Sequence, residues 1–265
     1  MSNIAKAFRQ AEGKRRAAFI GFVTGGDPSV EKSEEFILEM AAAGANLIEI
    51  GIPFSDPIAE GPVIQEANIR ALSAGASVEK MFGLVERVRE KTATPLVFLT
   101  YLNPVFHYGY DAFFKRGRQA GLDGIIIPDL PFEEHSEPGE AAAKHGIDLI
   151  SLIAPTSEAR IKEIAKAARG FIYLVSSMGV TGVRSEIKTD LASIVAAIRS
   201  VTDVPVAVGF GIHTPAQAAE IAKIADGVIV GSAIVKIAAR YGENAGPHIY
   251  RYVKEMKEAV TGVLT

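Results

Sequence analysis

The sequence predicts an α/β protein, specifically a (β/α)8 TIM barrel, on three observations. Short β-branched runs recur eight times with helix-like, charge-striped segments between them. Runs such as GIIIP (124–128) and GVIVG (227–231) are continuously apolar rather than alternating, as expected for a parallel sheet covered on its outer face. The length, 265 residues, is close to the ~250 typical of this barrel.

The strand candidates are 18–24, 47–51, 96–100, 124–127, 149–153, 171–175, 204–208 and 227–230. Apolar residues at helical spacing mark helices at 30–43, 63–73, 78–91, 110–119, 133–144, 158–168, 187–200, 215–223 and 232–240. Two helices, 63–73 and 78–91, lie between the second and third strands where a simple barrel needs one. Tails at 2–11 and 246–260 add helices at the N- and C-termini. The strand approaches AGANLIEIG (43–51), AGLDGIIIP (120–128) and IADGVIVGS (224–232) share the order helix end, glycine turn, strand, which suggests a repeated βα unit. No linker or low-complexity tract divides the chain, so residues 1–265 read as a single barrel domain.

Composition narrows the function. A net charge of −3 and the absence of a basic run interleaved with aromatics argue against nucleic acid or anionic lipid as partners. No apolar stretch approaches the ~18 to 20 residues of a membrane span. The N-terminal MSNIAKAFRQAEGKRR does not read as a signal peptide, so the expected compartment is the cytoplasm. With no cysteine, and with His107, His135, His145, His213 and His248 never at ligand spacing, neither thiolate nor metal chemistry is expected.

Barrel enzymes work at the C-terminal ends of their strands. Glu49 is in such a position: Ile48 and Ile50 face the helices, while Leu47, Glu49 and Gly51 face the barrel interior. Desolvation there raises a carboxyl pKa toward neutrality, as general acid–base work requires. The alternative is a structural ion pair with an Arg or Lys. Glu60 lies in the loop PFSDPIAEGP, which Pro53, Pro57, Ala59 and Gly61 constrain, and a constrained loop can hold a carboxylate over a pocket. Its alternative is a solvated loop acid, which Asp56 shares, or in the case of Asp56 a turn cap.

Three glycine turns point to phosphate. GFGIH (209–213) follows the seventh strand, Val230-Gly231-Ser232-Ala233 opens the helix after the eighth, and MGVTG (178–182) follows the sixth. Bared N–H groups at such turns and helix starts bind anions, although each turn alone is also simply tight. No lysine falls in a strand candidate, so Schiff-base cleavage is excluded and carbon–carbon chemistry would rest on carboxylates. The aromatic-rich connections TYLNPVFHYGY (100–110) and PFSDPI (53–58) suit either a partner interface or a pocket wall.

Taken together, IGFVTGGDP (20–28), LIEIGIPFSDPIAEGPVIQ (47–65), TYLNPVF (100–106), IIIPDLPFEE (125–134), LIAPTS (152–157), MGVTG (178–182), VGFGI (208–212) and VIVGSAIVK (228–236) resemble the tryptophan synthase α-subunit family over nearly the whole chain. The resemblance implies retro-aldol cleavage of indole-3-glycerol phosphate to indole and glyceraldehyde 3-phosphate. Glu49 matches the acid–base glutamate. Glu60 stands where the family usually has an aspartate that accepts the indole N–H, and its extra methylene moves the carboxylate by roughly an ångström unless the loop retreats. Phe22, Leu99, Ile126, Ile153, Tyr173 and Phe210 match the indole and glycerol pocket, and Thr181 a lid residue that contacts the loop acid. Gly182, Gly211, Gly231 and Ser232 match the phosphate site.

The resemblance also implies a β-subunit partner carrying pyridoxal phosphate, with no cofactor in this chain. It further implies an αββα assembly that docks through Pro53, Asp56 and the loop around Asn103. The alternatives are a chain that mainly activates its β partner, the change at Glu60 leaving lyase chemistry weak, a stand-alone indole-releasing lyase, and a different phosphate-handling barrel such as an isomerase.

Overall fold

The computed structural model describes residues 2–12, 17–176, 184–209 and 211–262, with 184–190 described by backbone alone. Eight parallel strands, β1 (Ala18–Thr24), β2 (Leu47–Gly51), β3 (Leu96–Leu99), β4 (Gly124–Ile126), β5 (Asp148–Ile153), β6 (Ile172–Val175), β7 (Val206–Gly209) and β8 (Gly227–Val230), close in sequence order. Pairing of Ala18 with Gly227 joins the last strand to the first. The helices are α1 (Asn3–Glu12), α2 (Val30–Ala42), α3 (Pro62–Ser73), α4 (Val78–Arg89), α5 (Leu102–Tyr108), α6 (Tyr110–Ala120), α7 (Ser136–Lys144), α8 (Glu158–Ala167), α9 (Arg184–Arg199), α10 (Pro215–Ala222), α11 (Ser232–Tyr241) and α12 (Gly246–Gly262).

The barrel is therefore the one read from the sequence, with the expected extra helices at both ends and between β2 and β3. One further helix appears. The segment around 100–110, read as a connection, folds into α5, with Pro104 in its first turn and Gly109 ending it at φ 87°. A proline is tolerated there because first-turn N–H groups lack intrahelical partners. The seventh strand starts two residues later than expected, at Val206: Pro205 has no N–H to give to the ladder, although its carbonyl accepts from Ile172 N at 2.8 Å.

Strand parity divides the core into two layers. Ile48, Ile50, Phe98, Ile125, Leu174 and Val208 pack outward with the helices, whereas Ile20, Leu47, Val97, Ile126, Ile150, Ala207 and Ile229 fill the barrel. The N-terminal opening is plugged by α1, whose Ile4 and Phe8 join the interior layer, Phe8 lying 5.6 Å from the Phe171 ring. Asn3 fastens the plug by donating from Nδ2 to Asp123 Oδ1 at 2.9 Å, while Arg89 pairs with the other oxygen of Asp123 at 2.8 Å. On the outside, Ile249, Val253, Met256 and Val260 form one buried stripe of α12, the spacing of an amphipathic helix face.

With its lower end sealed, the barrel can open only toward the C-terminal ends of its strands. Phe8→Ala should remove the plug's aromatic anchor at a cost of about 3 to 5 kcal/mol. Urea titration of the variant checks this; a midpoint equal to wild type would show that α1 does not seal the core.

Candidate active site

One cavity of about 640 Å³ lies at the C-terminal end of the barrel. It brings together Glu49, Glu60, Phe22, Leu99, Tyr173, Gly211, Gly231 and Ser232, eight of the residues singled out from the sequence. These come from β1, β2, β3, β6 and the loops or helices that follow β2, β7 and β8.

Glu49 is 1% exposed, and its neighbours across the sheet are Phe22 on β1 and Val97 on β3. Neither can neutralise a carboxylate. Among the described residues Oε1 has no hydrogen-bond partner, and no ion pair involves Glu49, which removes the structural ion-pair alternative. Burial alone pushes its pKa up to about 8, so at neutral pH the group is mainly a carboxylic acid with a proton to donate. Tyr173, in the barrel interior, feels the same desolvation, and the adjacent Glu49 pushes its phenol further up. A side chain on Gly209 would strike the Tyr173 hydroxyl, so β7 needs glycine there to leave that phenol room.

Glu60 is half-buried at the cavity rim, with burial raising its pKa and two donors opposing that rise. Asn68, on α3 and itself buried, donates from Nδ2 to Glu60 Oε2 at 2.6 Å; Tyr101 supplies the second hydrogen bond. The Tyr101 hydroxyl also accepts from Ala59 N at 3.1 Å, so one phenol ties the loop backbone and its acid together. Burial pushes that phenol up to about 12, keeping it a donor at working pH. The loop has thus taken up the longer side chain by anchoring it. Neither Asn68 nor Tyr101 is legible as a partner of Glu60 in the sequence, because they lie eight and forty-one residues from it with no shared periodicity.

Elsewhere the lining offers backbone N–H groups of the kind that suit an anion. Gly231 caps α11, and its carbonyl accepts from Ile234 N at 2.9 Å and Val235 N at 3.1 Å, leaving the first-turn N–H groups of Ser232 and Ala233 directed out of the helix. Gly211 takes φ 79°, a conformation that strongly favours glycine. Its loop is pinned three ways: Gln217 Oε1 accepts from His213 N at 3.0 Å and Thr214 N at 3.2 Å, and Tyr252 of α12 donates to the His213 carbonyl at 2.9 Å. His213, Lys236, Ile229 and Tyr252 also line the cavity and were not singled out from the sequence. Lys236 follows Ser232 by four residues on one helix, a spacing that would have shown it.

Three expected residues stand elsewhere. Ile153 packs in the outer layer against the helices, because β5 parity turns Ile150 and Leu152 inward instead. Ile126 is buried in the interior layer beneath the cavity rather than on its wall. Pro53 is buried within the chain, whereas Asp56 and Asn103 are exposed. Thr181, Gly182 and Phe210 lie outside the described residues.

A closed βα barrel whose active-face cavity joins a desolvated carboxyl to a glycine cradle is the architecture of an enzyme that moves protons on an anionic small molecule. Comparison with known proteins narrows the class to one family. The profile of the tryptophan synthase alpha chain family matches residues 8–261. A tryptophan synthase alpha chain of Lacticaseibacillus casei is 50% identical over 260 residues, 98% of this chain and 96% of that one. One from Geobacter sulfurreducens is 45% identical over 262 residues, covering 98% and 99%. Among solved structures, the alpha subunit from Legionella pneumophila superposes with a TM-score of 0.90 at 34% identity, covering 99% of both chains. The chain belongs to the tryptophan synthase alpha chain family.

The raised pKa of Glu49 has a sign that thermal unfolding can read. Between the ordinary glutamate value of 4.5 and about 8 the native chain holds a proton that the unfolded chain has released. The contribution of this site to stability therefore falls as pH rises through that window. Glu49→Gln, which cannot titrate, should gain on wild type across it by roughly 2 °C or more in Tm, the shift that about 1 kcal/mol produces in a domain of this size. A constant difference between the two proteins from pH 4.5 to about 8 would show that Glu49 is ionised in the fold.

Proposed function

We propose that Glu49 and Glu60 together carry the reaction of the family, the cleavage of indole-3-glycerol phosphate to indole and glyceraldehyde 3-phosphate. The observation that supports this most is the isolated, desolvated carboxyl of Glu49 in the same cavity as the anchored Glu60. Retro-aldol cleavage needs an electron sink, and with no strand lysine for a Schiff base the indole ring itself must serve. Glu49 protonates indole C3, which makes the ring an iminium. Loss of the proton from the hydroxyl on the attached glycerol carbon then drives carbon–carbon cleavage: that carbon becomes the aldehyde, and the bonding electrons return to the ring. Once it has given up its proton, the Glu49 carboxylate is placed to assist the hydroxyl's deprotonation.

Positive charge develops at the indole nitrogen as C3 is protonated. Glu60, held by Asn68 and Tyr101, accepts that N–H at the rim. Phe22, Leu99, Tyr173 and Ile229 offer the ring an apolar bed, and the N–H groups around Gly211, Gly231 and Ser232 hold the phosphate. This reading extends to Thr181, Gly182 and Phe210 as lid, phosphate and pocket residues.

The partner implied by the family is the tryptophan synthase beta subunit, and we assign it the pyridoxal phosphate chemistry that consumes indole, in an αββα assembly in the cytoplasm. Exposed apolar side chains favour docking on the active face: Ile58 is 79% and Phe106 66% exposed, beside the exposed Asp56 and Asn103. A solely activating role is disfavoured by the two hydrogen bonds that keep Glu60 in the cavity.

Release of glyceraldehyde 3-phosphate from indole-3-glycerol phosphate, followed with and without the beta subunit, tests the assignment. Glu49→Gln should abolish turnover while leaving substrate-analogue affinity nearly intact, since only proton transfer is lost. A variant that keeps a tenth of wild-type turnover would remove Glu49 from the role. Glu60→Asp should lower turnover by about tenfold or more, because the shorter side chain gives up the Asn68 anchor and misplaces the carboxylate. Unchanged turnover would show that the anchor does not matter.

A further inference from the structure

We propose that Lys236 is the cation that recognises the phosphate dianion of the substrate. The inference rests on the phosphate reading of the glycine cradle and adds to it a side chain and a charge. Ser232 and Lys236 are four residues apart on α11, so they share one face of the helix, and both line the cavity together with Ala233 and Ile237. The N–H groups of the first helical turn lie at one end of that face and the lysine one turn along it, about 6 Å away by helix geometry, within reach of a lysine stem.

The charge balance of the cavity calls for such a group. Of its lining side chains Glu49 and Glu60 are acids, His213 is a weak base, and Lys236 is the only lysine or arginine among the described residues. A phosphate monoester carries close to two negative charges at neutral pH. The helix N-terminus supplies only about half a positive charge, and Glu60 opposes even that. Elsewhere on the surface Lys32, Lys91, Lys144, Lys162 and Lys223 are each paired with a carboxylate. Lys236 is exposed and enters no ion pair among the described residues, so its ammonium is free to meet an incoming anion. The Gly211–His213 segment, fixed by Gln217 and Tyr252, lines the same cavity, which lets one phosphate contact backbone donors and the lysine together.

The test compares wild type with Lys236→Met, Lys236→Arg and Gly231→Val by steady-state kinetics on indole-3-glycerol phosphate and by calorimetric titration with glycerol 3-phosphate. Lys236→Met is expected to raise KM and the glycerol 3-phosphate Kd by about tenfold, the scale of a lost charge-assisted hydrogen bond. It should leave kcat within about twofold and flatten the salt dependence of kcat/KM. Lys236→Arg should restore most of the affinity. A merely structural lysine would not give this KM-against-kcat split or the altered salt slope.

A Cβ added at Gly231 comes no closer than 3.4 Å to its nearest neighbour, the Phe22 ring, and meets no backbone among its three nearest atoms. Circular dichroism of Gly231→Val checks that the variant folds. If Gly231→Val weakens binding and Lys236→Met does not, the cradle binds phosphate without the lysine and this proposal is overturned. If neither variant changes affinity, the phosphate reading fails and the lysine's role fails with it.

Discussion

Everything at this site depends on one unfavourable placement, a carboxyl held inside an apolar barrel with no counter-ion among the described residues. A buried carboxylate without partners is expensive, and the group meets that cost by keeping its proton. That response is what chemistry at neutral pH needs from a general acid. Phe22 and Val97 on the flanking strands maintain it: an Arg or Lys at either position would pair with Glu49, lower its pKa and leave a spectator anion.

The rest of the fold keeps that environment intact. Closure of β8 onto β1 removes sheet edges, α1 seals the lower end with Ile4 and Phe8, and the interior layer between is aliphatic and aromatic. The cavity lining sets acids and a lysine in an otherwise largely apolar wall. The acid Glu60 is held by Asn68 of α3, and the helix start of α11 and Lys236 line the same cavity. A substrate with an apolar ring and a phosphate suits a lining that joins aromatic and aliphatic side chains to glycine-bared N–H groups. The two features are fixed by different elements, the acid by Asn68 and Tyr101 and the cradle by Gln217 and Tyr252, so they can be perturbed separately.

Strand parity made much of this legible in the sequence. The alternation in Leu47–Gly51 placed Glu49 inside the barrel, and recurrent β-branched runs gave the eight strands. The same reasoning applied to 149–153 would have turned Leu152 inward; Ile153 was matched by resemblance alone, and its packing follows parity. What stayed hidden is long-range. Asn68 and Tyr101 reach Glu60 from separate helical regions, and Tyr252 reaches the His213 carbonyl across 39 residues. Such contacts leave no periodic trace in the chain. The helix at 102–108, read as a connection, is only seven residues long, too short for its periodicity to stand out.

The central claim is that Glu49 is a neutral acid at pH 7, and isotope-edited infrared spectroscopy reads that state directly. With glutamate labelled at the carboxyl carbon, and with Glu49→Gln subtracted to isolate the one residue, a carboxylic-acid carbonyl band should be present at neutral pH. It should convert to the carboxylate band as pH rises through about 8. A difference spectrum showing only carboxylate at pH 7 would contradict the account, because a group already ionised has no proton to place on indole C3.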